Sequence, residues 1–209
     1  MPTTIDSMRR QWFDLLGTAV SAAVVDKAFE ELVRHYNESS RHYHTLDHIH
    51  DVLETVEGLG PHANNLNAVR LAAWLHDVIY DSRRGDNEEL SAEYAERLCT
   101  RLSIPNSAKV ASLIRKTKTH AADDDADSQV LIDADLAILG APEPRYWDYS
   151  EKIRREYDWV PESDYLTGRR KVLEHFLARP RIYQLLNQLE GPARRNLAAE
   201  ILKLGAPLR

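Results

Sequence analysis

Histidines suited to binding a metal ion are concentrated in one part of the chain. Five of the nine histidines fall within sixteen residues, at His35, His42, His44, His48 and His50. His44 and His48 are four residues apart, so a helix would place both imidazoles on one face, where they could meet one cation. The zinc-protease pattern HExxH is absent, because Thr45 follows His44. The pair therefore indicates a metal site of another kind.

A His-Asp doublet, His76-Asp77, lies inside the apolar stretch at residues 74–81. Helical spacing from Ala72 and Ala73 predicts that His76 faces the core. Burying an unpaired charge costs several kcal/mol, so the doublet needs partners. Taken alone, the doublet is better explained by a core histidine bonded to a neighbouring carboxylate than by a metal ligand. Ligand-type residues in matching settings on other helices favour the metal.

Two aspartates interrupt a second apolar stretch, at residues 131–139. The residues three and four positions from Asp135 on either side are all leucine or isoleucine, whereas Gln129 and Ala137 are among the corresponding neighbours of Asp133. We therefore expect Asp135 to be the more deeply buried of the two and to need a cation.

The elements that must carry these residues are predicted to be helices. Apolar residues recur at helical spacing, and the breaks fall at glycine, proline or acidic residues. The predicted helices lie within residues 8–37, with a break near Gly17 and Ser21, and at about 45–59, 65–80, 86–103, 106–119, 128–139, 144–157, 162–178 and 190–204. No strand-like alternation persists and no long linker divides the chain. The sequence predicts one compact all-α domain over residues 1–209.

Composition and charge restrict the function classes. Lys and Arg number 27 against 33 Asp and Glu, a net charge of −6, so general binding to nucleic-acid backbones is not expected. No apolar run approaches the ~20 residues of a membrane span, and no secretory signal is visible. We therefore expect a cytoplasmic protein with no membrane partner. The single Cys99 excludes an internal disulfide and is expected to be a buried thiol.

The order of His48, His76-Asp77 and Asp135 resembles the HD superfamily of metal-dependent phosphohydrolases, and in particular a branch of small uncharacterised HD hydrolases. The segments that carry the resemblance lie between about residues 40 and 180: YHTLDHI at 43–49, AWLHDVIYD at 73–81, NEELSA at 87–92, TKTH at 117–120, DADLAILG at 133–140 and YLTGR at 165–169. The resemblance implies an all-α HD-type fold that binds a divalent cation and hydrolyses a phosphoester or phosphoanhydride bond of a nucleotide-like substrate.

The resemblance also implies the metal ligands, which are His48, His76, Asp77 and Asp135. Two imidazoles and two carboxylates suit Mn²⁺, Fe²⁺, Co²⁺, Ni²⁺ or Zn²⁺ and leave positions open for water and phosphate; Mg²⁺ is a further candidate. His44 is the alternative to His48 as the most N-terminal of the four ligands. We favour His48, because it lies farther inside the predicted helix and one turn before Val52.

Further residues are candidates for catalysis (Asp81, Glu88) or substrate binding (His44, Lys118, His120, Arg169). Asp81 follows Asp77 by four residues, one turn along a helical face, and would orient the attacking water. Glu88 is the rival for that role, its alternative being an ordinary charge in the first turn of a helix. The Arg169 fork matches phosphate geometry, although a surface salt bridge explains it equally well. His120 would contact phosphate or a second metal, or lie exposed in a loop.

We therefore expect a phosphohydrolase that acts on a small phosphorylated metabolite, with a nucleotide preferred and a homodimer compatible with that role. Two alternatives remain. One is a non-catalytic metal- or nucleotide-binding regulatory module. The other is a di-iron oxygenase of HD type, for which His44 and His120 would supply spare ligands.

Overall fold

Ten α-helices build the part of the protein that the structure describes, residues 4–17 and 20–205 of a computed structural model. In chain order they are α1 Thr4–Leu16, α2 Ala22–Tyr36, α3 Leu46–Leu59, α4 Leu66–Leu75, α5 Asn87–Arg101, α6 Ser107–Thr117, α7 Ala126–Leu136, α8 Glu143–Glu156, α9 Glu162–Leu177 and α10 Asn187–Leu204. No strand occurs in these two ranges, so the predicted all-α fold is confirmed. Residues 1–3, 18–19 and 206–209 of the predicted domain lie outside the described residues.

Helix α4 is the centre of the structure. Seven of its ten residues are buried, which are Ala68, Val69, Leu71, Ala72, Ala73, Trp74 and Leu75, and a helix with so wide an apolar surface belongs in a core. It packs against α1, α3, α5, α6 and α7. The Trp74 ring meets Trp12 and Phe29 edge to face. The doublet that follows α4 is therefore anchored to a helix buried in the core.

The end of α4 differs from the prediction of a helix to about residue 80, because α4 ends at Leu75. Arg41 donates to the carbonyl oxygens of Asp77 and Val78, at 2.6 and 2.9 Å. Ser91 Oγ accepts the N–H of Ile79 and donates to its carbonyl, both at 3.1 Å. Backbone groups that would otherwise continue the helix are thus paired with side chains.

Residues 137–140 form a short 3₁₀ turn after α7 that packs against α10. A side chain at Gly140 would place its Cβ 2.7 Å from Leu189 Cβ, so only glycine permits this approach. Asn196 on α10 donates to the carbonyl oxygens of Leu139 and Ala141, at 2.9 Å each. The chain just beyond Asp135 is therefore fixed in place. None of the described helices is long and apolar enough to cross a bilayer.

Candidate metal centre

The four predicted metal ligands lie together. His48 Nε2 on α3 is 3.3 Å from His76 Nε2 at the end of α4 and 3.2 Å from Asp135 Oδ1 on α7. Asp77 closes the group, with Oδ2 3.1 Å from His76 Nε2. The ligand atoms of His48, His76 and Asp77 all lie within 4.8 Å of one another. Helices α3 and α7 and the turn after α4 thus bring two imidazoles and two carboxylates together.

The donor set fits a divalent cation. His76 Nδ1 lies 2.9 Å from the carbonyl oxygen of Ala73, which makes Nδ1 the protonated nitrogen and leaves the Nε2 lone pair toward the cluster. A metal-binding histidine commonly has its other ring N–H fixed in this way. Both histidines are buried, and mixed nitrogen and oxygen ligands suit a transition metal.

The electrostatics of the cluster favour positive charge at its centre. Burial alone would raise the pKa of the Asp77 carboxyl, but the neighbouring His76 and His44 hold it well below its usual range. Burial would lower the pKa of His76, but the carboxylates of Asp77 and Asp135 outweigh it and raise that pKa well above its usual range. The charge that the carboxylates stabilise can be supplied by protons on the imidazoles or by a metal ion.

Helix α5 holds the turn that carries the doublet. Asn87 Oδ1 accepts the N–H of Asp81 at 3.1 Å, and its Nδ2 donates to the Asp81 carbonyl at 2.9 Å. Ser91, one helical turn later, is the partner of Ile79. Both side chains lie in the NEELSA segment. The sequence analysis assigned no role to Asn87 or Ser91, although two polar residues one turn apart on a buried helical face indicate a structural role.

His120 joins the cluster through Asp135. Its Nε2 lies 3.1 Å from Asp135 Oδ2, so the two oxygens of this carboxylate face different histidines. The His120 backbone has a φ of 47°, in the left-handed region. Arg179 holds this turn by donating to the carbonyl oxygens of Thr119 and His120, at 2.7 and 2.6 Å. His120 therefore lies beside the cluster, in contact with one of its carboxylates.

His44 precedes the helix that carries His48, so the expectation that both lie on one helical face is wrong. Helix α3 begins at Leu46, after an extended Thr45. Glu156 on α8 causes this, because its Oε1 accepts the backbone N–H groups of His42, Tyr43 and His44 at 2.8 to 3.0 Å. The His44 and His48 rings are nevertheless only 5.9 Å apart.

The His44 ring is held on two sides. Glu156 Oε2 lies 2.6 Å from Nδ1, and the Tyr80 ring stacks at 4.0 Å. Burial would lower the pKa of His44, but Glu156, Asp77 and Asp135 together raise it. Burial would raise the pKa of Glu156, but His44 and the backbone N–H groups lower it to about 2. Glu156 could not be identified from the sequence, because it lies on a helix 112 residues away from His44 in the chain.

Asp133, not Asp135, is the more deeply buried aspartate of α7, which corrects the expectation from their neighbours. Asp133 is fully buried and accepts the backbone N–H groups of Gln184, Leu185 and Leu186, at 2.6 to 3.0 Å. These bonds satisfy the charge without a cation. The Asp135 side chain keeps 12% exposure, because it lies in the cluster of predicted ligands and lines a cavity.

A cavity of about 670 Å³ adjoins the cluster. Six of the predicted site residues line it: His44, Glu88, Lys118, His120, Asp135 and Arg169. Lys118 is exposed and donates to the Gly85 carbonyl at 2.7 Å. The structure therefore brings most of the predicted binding residues to one space beside the metal ligands.

Asp81 is not among the residues that line this cavity. Because α4 ends at Leu75, Asp81 is not one helical turn beyond Asp77, and that expectation is wrong. Its Oδ1 accepts the Arg83 N–H at 2.9 Å, and the residue lines a separate cavity of about 410 Å³. Glu88, in the first turn of α5, does line the main cavity.

Arg169 forms a buried ion pair instead of a surface one. Its Nε and Nη2 donate to the two carboxylate oxygens of Glu200 on α10, at 2.8 and 3.1 Å. Its Nη1 lies 3.3 Å from the Tyr149 hydroxyl. The fork that would clamp a phosphate is thus occupied by a carboxylate, which binds it in the same bidentate geometry.

His50, Asp51 and Glu54 form a second group of ligand-type side chains. Glu54 is 68% exposed, and Asp51 pairs with Arg145. These are features of an ordinary charged surface. Cys99 is buried, as predicted, and burial raises the pKa of its thiol to about 11.

Comparison of the chain with known protein families, with curated proteins and with solved structures gives no match.

Proposed function

We propose that this protein is a metal-dependent hydrolase of phosphate esters or anhydrides in small phosphorylated metabolites, acting in the cytoplasm. The proposal is carried by the convergence of His48, His76, Asp77 and Asp135 beside a cavity. Such a ligand set binds a transition metal and leaves positions for water and substrate. The resemblance of the sequence motifs to HD phosphohydrolases supports the same chemistry.

The residues that line the cavity would have different roles around a bound metal. A divalent cation bound by the four ligands would supply an activated water and polarise a phosphoryl oxygen. Lys118 and His120 offer N–H donors for the remaining phosphate oxygens. Because His120 also contacts Asp135, it links the phosphate-binding side of the cavity to the metal ligands.

His44 holds a proton for the substrate. Its Nδ1 is engaged by Glu156, so Nε2 is the ring nitrogen left to face the cavity that His44 lines. The Glu156 carboxylate favours the charged imidazolium. His44 therefore donates from Nε2 to a phosphoryl or leaving-group oxygen.

Glu88 is the candidate for orienting the attacking water. It lines the same cavity as Asp135 and His120, whereas Asp81 does not. The first-turn position on α5 fixes its backbone, and a carboxylate accepts hydrogen bonds from water at two oxygens.

Metal reconstitution followed by a hydrolysis assay tests the proposal. Metal-stripped protein is loaded in turn with Mn²⁺, Fe²⁺, Co²⁺, Ni²⁺, Zn²⁺ or Mg²⁺, and phosphate release is measured on a broad panel of phosphoesters and phosphoanhydrides. We expect turnover with at least one metal and none with His76→Ala. Metal binding without turnover on any substrate class would instead support a regulatory module.

One observation favours a di-iron oxygenase as the second candidate. The Asp135 oxygens face His48 on one side and His120 on the other, an arrangement that suits a carboxylate shared by two cations. Two tightly bound irons per chain, with consumption of dioxygen by the reduced protein, would favour this candidate over the hydrolase.

A further inference from the structure

The cavity beside the metal centre has an aromatic, largely apolar wall. Five tyrosines, at positions 43, 80, 149, 157 and 165, contribute to it together with Phe176. Several of these rings contact one another: Tyr43 and Tyr149 have centroids 4.7 Å apart, and Phe176 meets His120 edge to face. A flat aromatic group gains both area burial and ring contacts in such surroundings.

Few cations in the cavity are available to bind anionic groups. Arg169 is neutralised by Glu200 and the His44 imidazolium by Glu156. Arg84 donates from Nε and Nη2 to Asp86. Lys118 is bonded to a backbone carbonyl and not to a carboxylate. Glu88 and Asp164 add negative charge to the same lining. A polyphosphate chain would therefore bring more negative charge into the cavity than these side chains offset.

The size of the cavity agrees with one compact ligand. About 670 Å³ lies within the range of pockets that enclose a small organic molecule. The phosphate would take the side lined by Asp135, His44 and His120, and the rest of the ligand would meet the aromatic wall.

We propose, resting on the phosphohydrolase function proposed above, that the substrates are phosphomonoesters with a single phosphate and a flat aromatic body. Aryl phosphates and nucleoside monophosphates share this chemistry. Nucleoside triphosphates, with their additional charge, and small aliphatic phosphates, without a ring, are discriminated against.

Val172 offers a way to test the aromatic wall without disturbing the metal centre. It lines the cavity from α9, one helical turn before Phe176, and is 47% exposed. Val172→Asp places a charge in the apolar part of the cavity, and its exposure makes the change tolerable to the fold. Leu202→Asp is the matched control, because Leu202 is 77% exposed on α10 and is not part of the cavity lining.

The experiment compares four esters on the metal-loaded full chain: 1-naphthyl phosphate, adenosine monophosphate, adenosine triphosphate and glycerol 1-phosphate. We expect kcat/KM for at least one aromatic monophosphate to exceed that for the triphosphate and for glycerol phosphate by ~30-fold or more. Val172→Asp should lower this preference about 10-fold, and Leu202→Asp should leave it unchanged. Comparison of 1-naphthyl phosphate with adenosine monophosphate shows whether the cavity prefers a simple aryl group or a nucleobase.

Binding of non-hydrolysable analogues keeps this inference separable from the proposed activity. If 1-naphthylphosphonate binds the metal-loaded protein ~30-fold more tightly than methylphosphonate but no ester is hydrolysed, the ligand class stands and the hydrolase function fails. If esters are hydrolysed with equal efficiency for glycerol phosphate, triphosphate and aromatic monophosphates, the inference is overturned and the hydrolase function stands. Equal affinity for the two phosphonates also overturns it.

Discussion

Glu156 holds His44 through both of its carboxylate oxygens: Oε1 accepts the His44 backbone N–H at 3.0 Å, and Oε2 lies 2.6 Å from ring Nδ1. The two residues are 112 positions apart in the chain. This contact joins the start of α3, which carries His48, to the end of α8. It fixes both the start of α3 and the orientation of an imidazole that lines the cavity.

We expect Glu156→Gln to lower the free energy of unfolding by about 2 kcal/mol, because a buried carboxylate with several N–H donors is replaced by a neutral amide. Chemical denaturation of the metal-free protein measures this. Asp148→Asn is the control, since Asp148 is exposed and forms a surface ion pair with Lys152 one turn away; it should cost less than about 0.5 kcal/mol. Equal losses in the two variants would contradict a special role for Glu156.

The stability difference between wild type and Glu156→Gln should depend on pH. The pKa of Glu156 falls from its ordinary 4.5 to about 2 on folding, so its contribution is present above pH 4.5 and is lost as pH falls toward 2. The pKa of His44 is raised above its ordinary 6.5, so that contribution is present below 6.5 and is lost at higher pH. Denaturant unfolding of both proteins at a series of pH values should show the largest difference in free energy of unfolding between pH 4.5 and 6.5. A difference that grows below pH 4 would refute this.

The two neighbouring histidines should differ in metal retention. His48 points Nε2 into the cluster, whereas His44 is engaged by Glu156 and lines the cavity. We therefore expect His48→Ala to lose the tightly bound metal. His44→Ala should keep it and lower kcat by roughly 10²-fold, the scale of a lost proton donor. Mass spectrometry of the two variants measures their metal content. If His44→Ala loses the metal and His48→Ala retains it, His44 is the metal ligand and His48 is not.

Glu88→Gln should slow hydrolysis by roughly 10²-fold with the metal retained, because Glu88 lines the cavity. Asp81→Asn should have little effect on the chemical step, because its carboxylate faces a different cavity and accepts the Arg83 N–H. Steady-state kinetics on the best substrate compare them. A large loss of kcat in Asp81→Asn alone would return the catalytic role to Asp81.

Arg169→Ala should lower the free energy of unfolding by about 3 kcal/mol, because the buried Glu200 carboxylate loses its cationic partner and keeps the hydrogen bonds from the Tyr146 and Ser150 hydroxyls. Arg170→Ala, which breaks an exposed pair with Glu174 one turn away, should cost less than about 1 kcal/mol. Thermal unfolding of both variants measures this. If Arg169→Ala instead raises KM with stability unchanged, the arginine is a phosphate clamp.

The helices were predictable from the sequence because their apolar periodicity and their stop signals are local. That the buried His76-Asp77 doublet needs partners was predictable, because its polar groups are costly in an apolar stretch without them, whereas the set of four candidate ligands came from the resemblance of the motifs to a known family. The end of α4 was not predictable from the sequence, because it depends on hydrogen bonds from Arg41 and Ser91, which lie on other parts of the chain. Nor could neighbours in the chain reveal that the 184–186 backbone, and not a cation, satisfies Asp133.

The most direct test of the metal centre is the metal content of the purified protein and its variants. Full-length wild type is equilibrated with Mn²⁺, Fe²⁺, Co²⁺, Ni²⁺ or Zn²⁺, dialysed, and analysed by mass spectrometry beside His76→Ala, Asp135→Ala and the control His62→Ala, which alters a histidine outside the cluster. Circular dichroism is used to check that wild type and the three variants are helical. We expect at least one tightly held ion per chain in wild type and His62→Ala and almost none in the other two. Equal metal content in all four proteins would contradict the centre formed by His48, His76, Asp77 and Asp135.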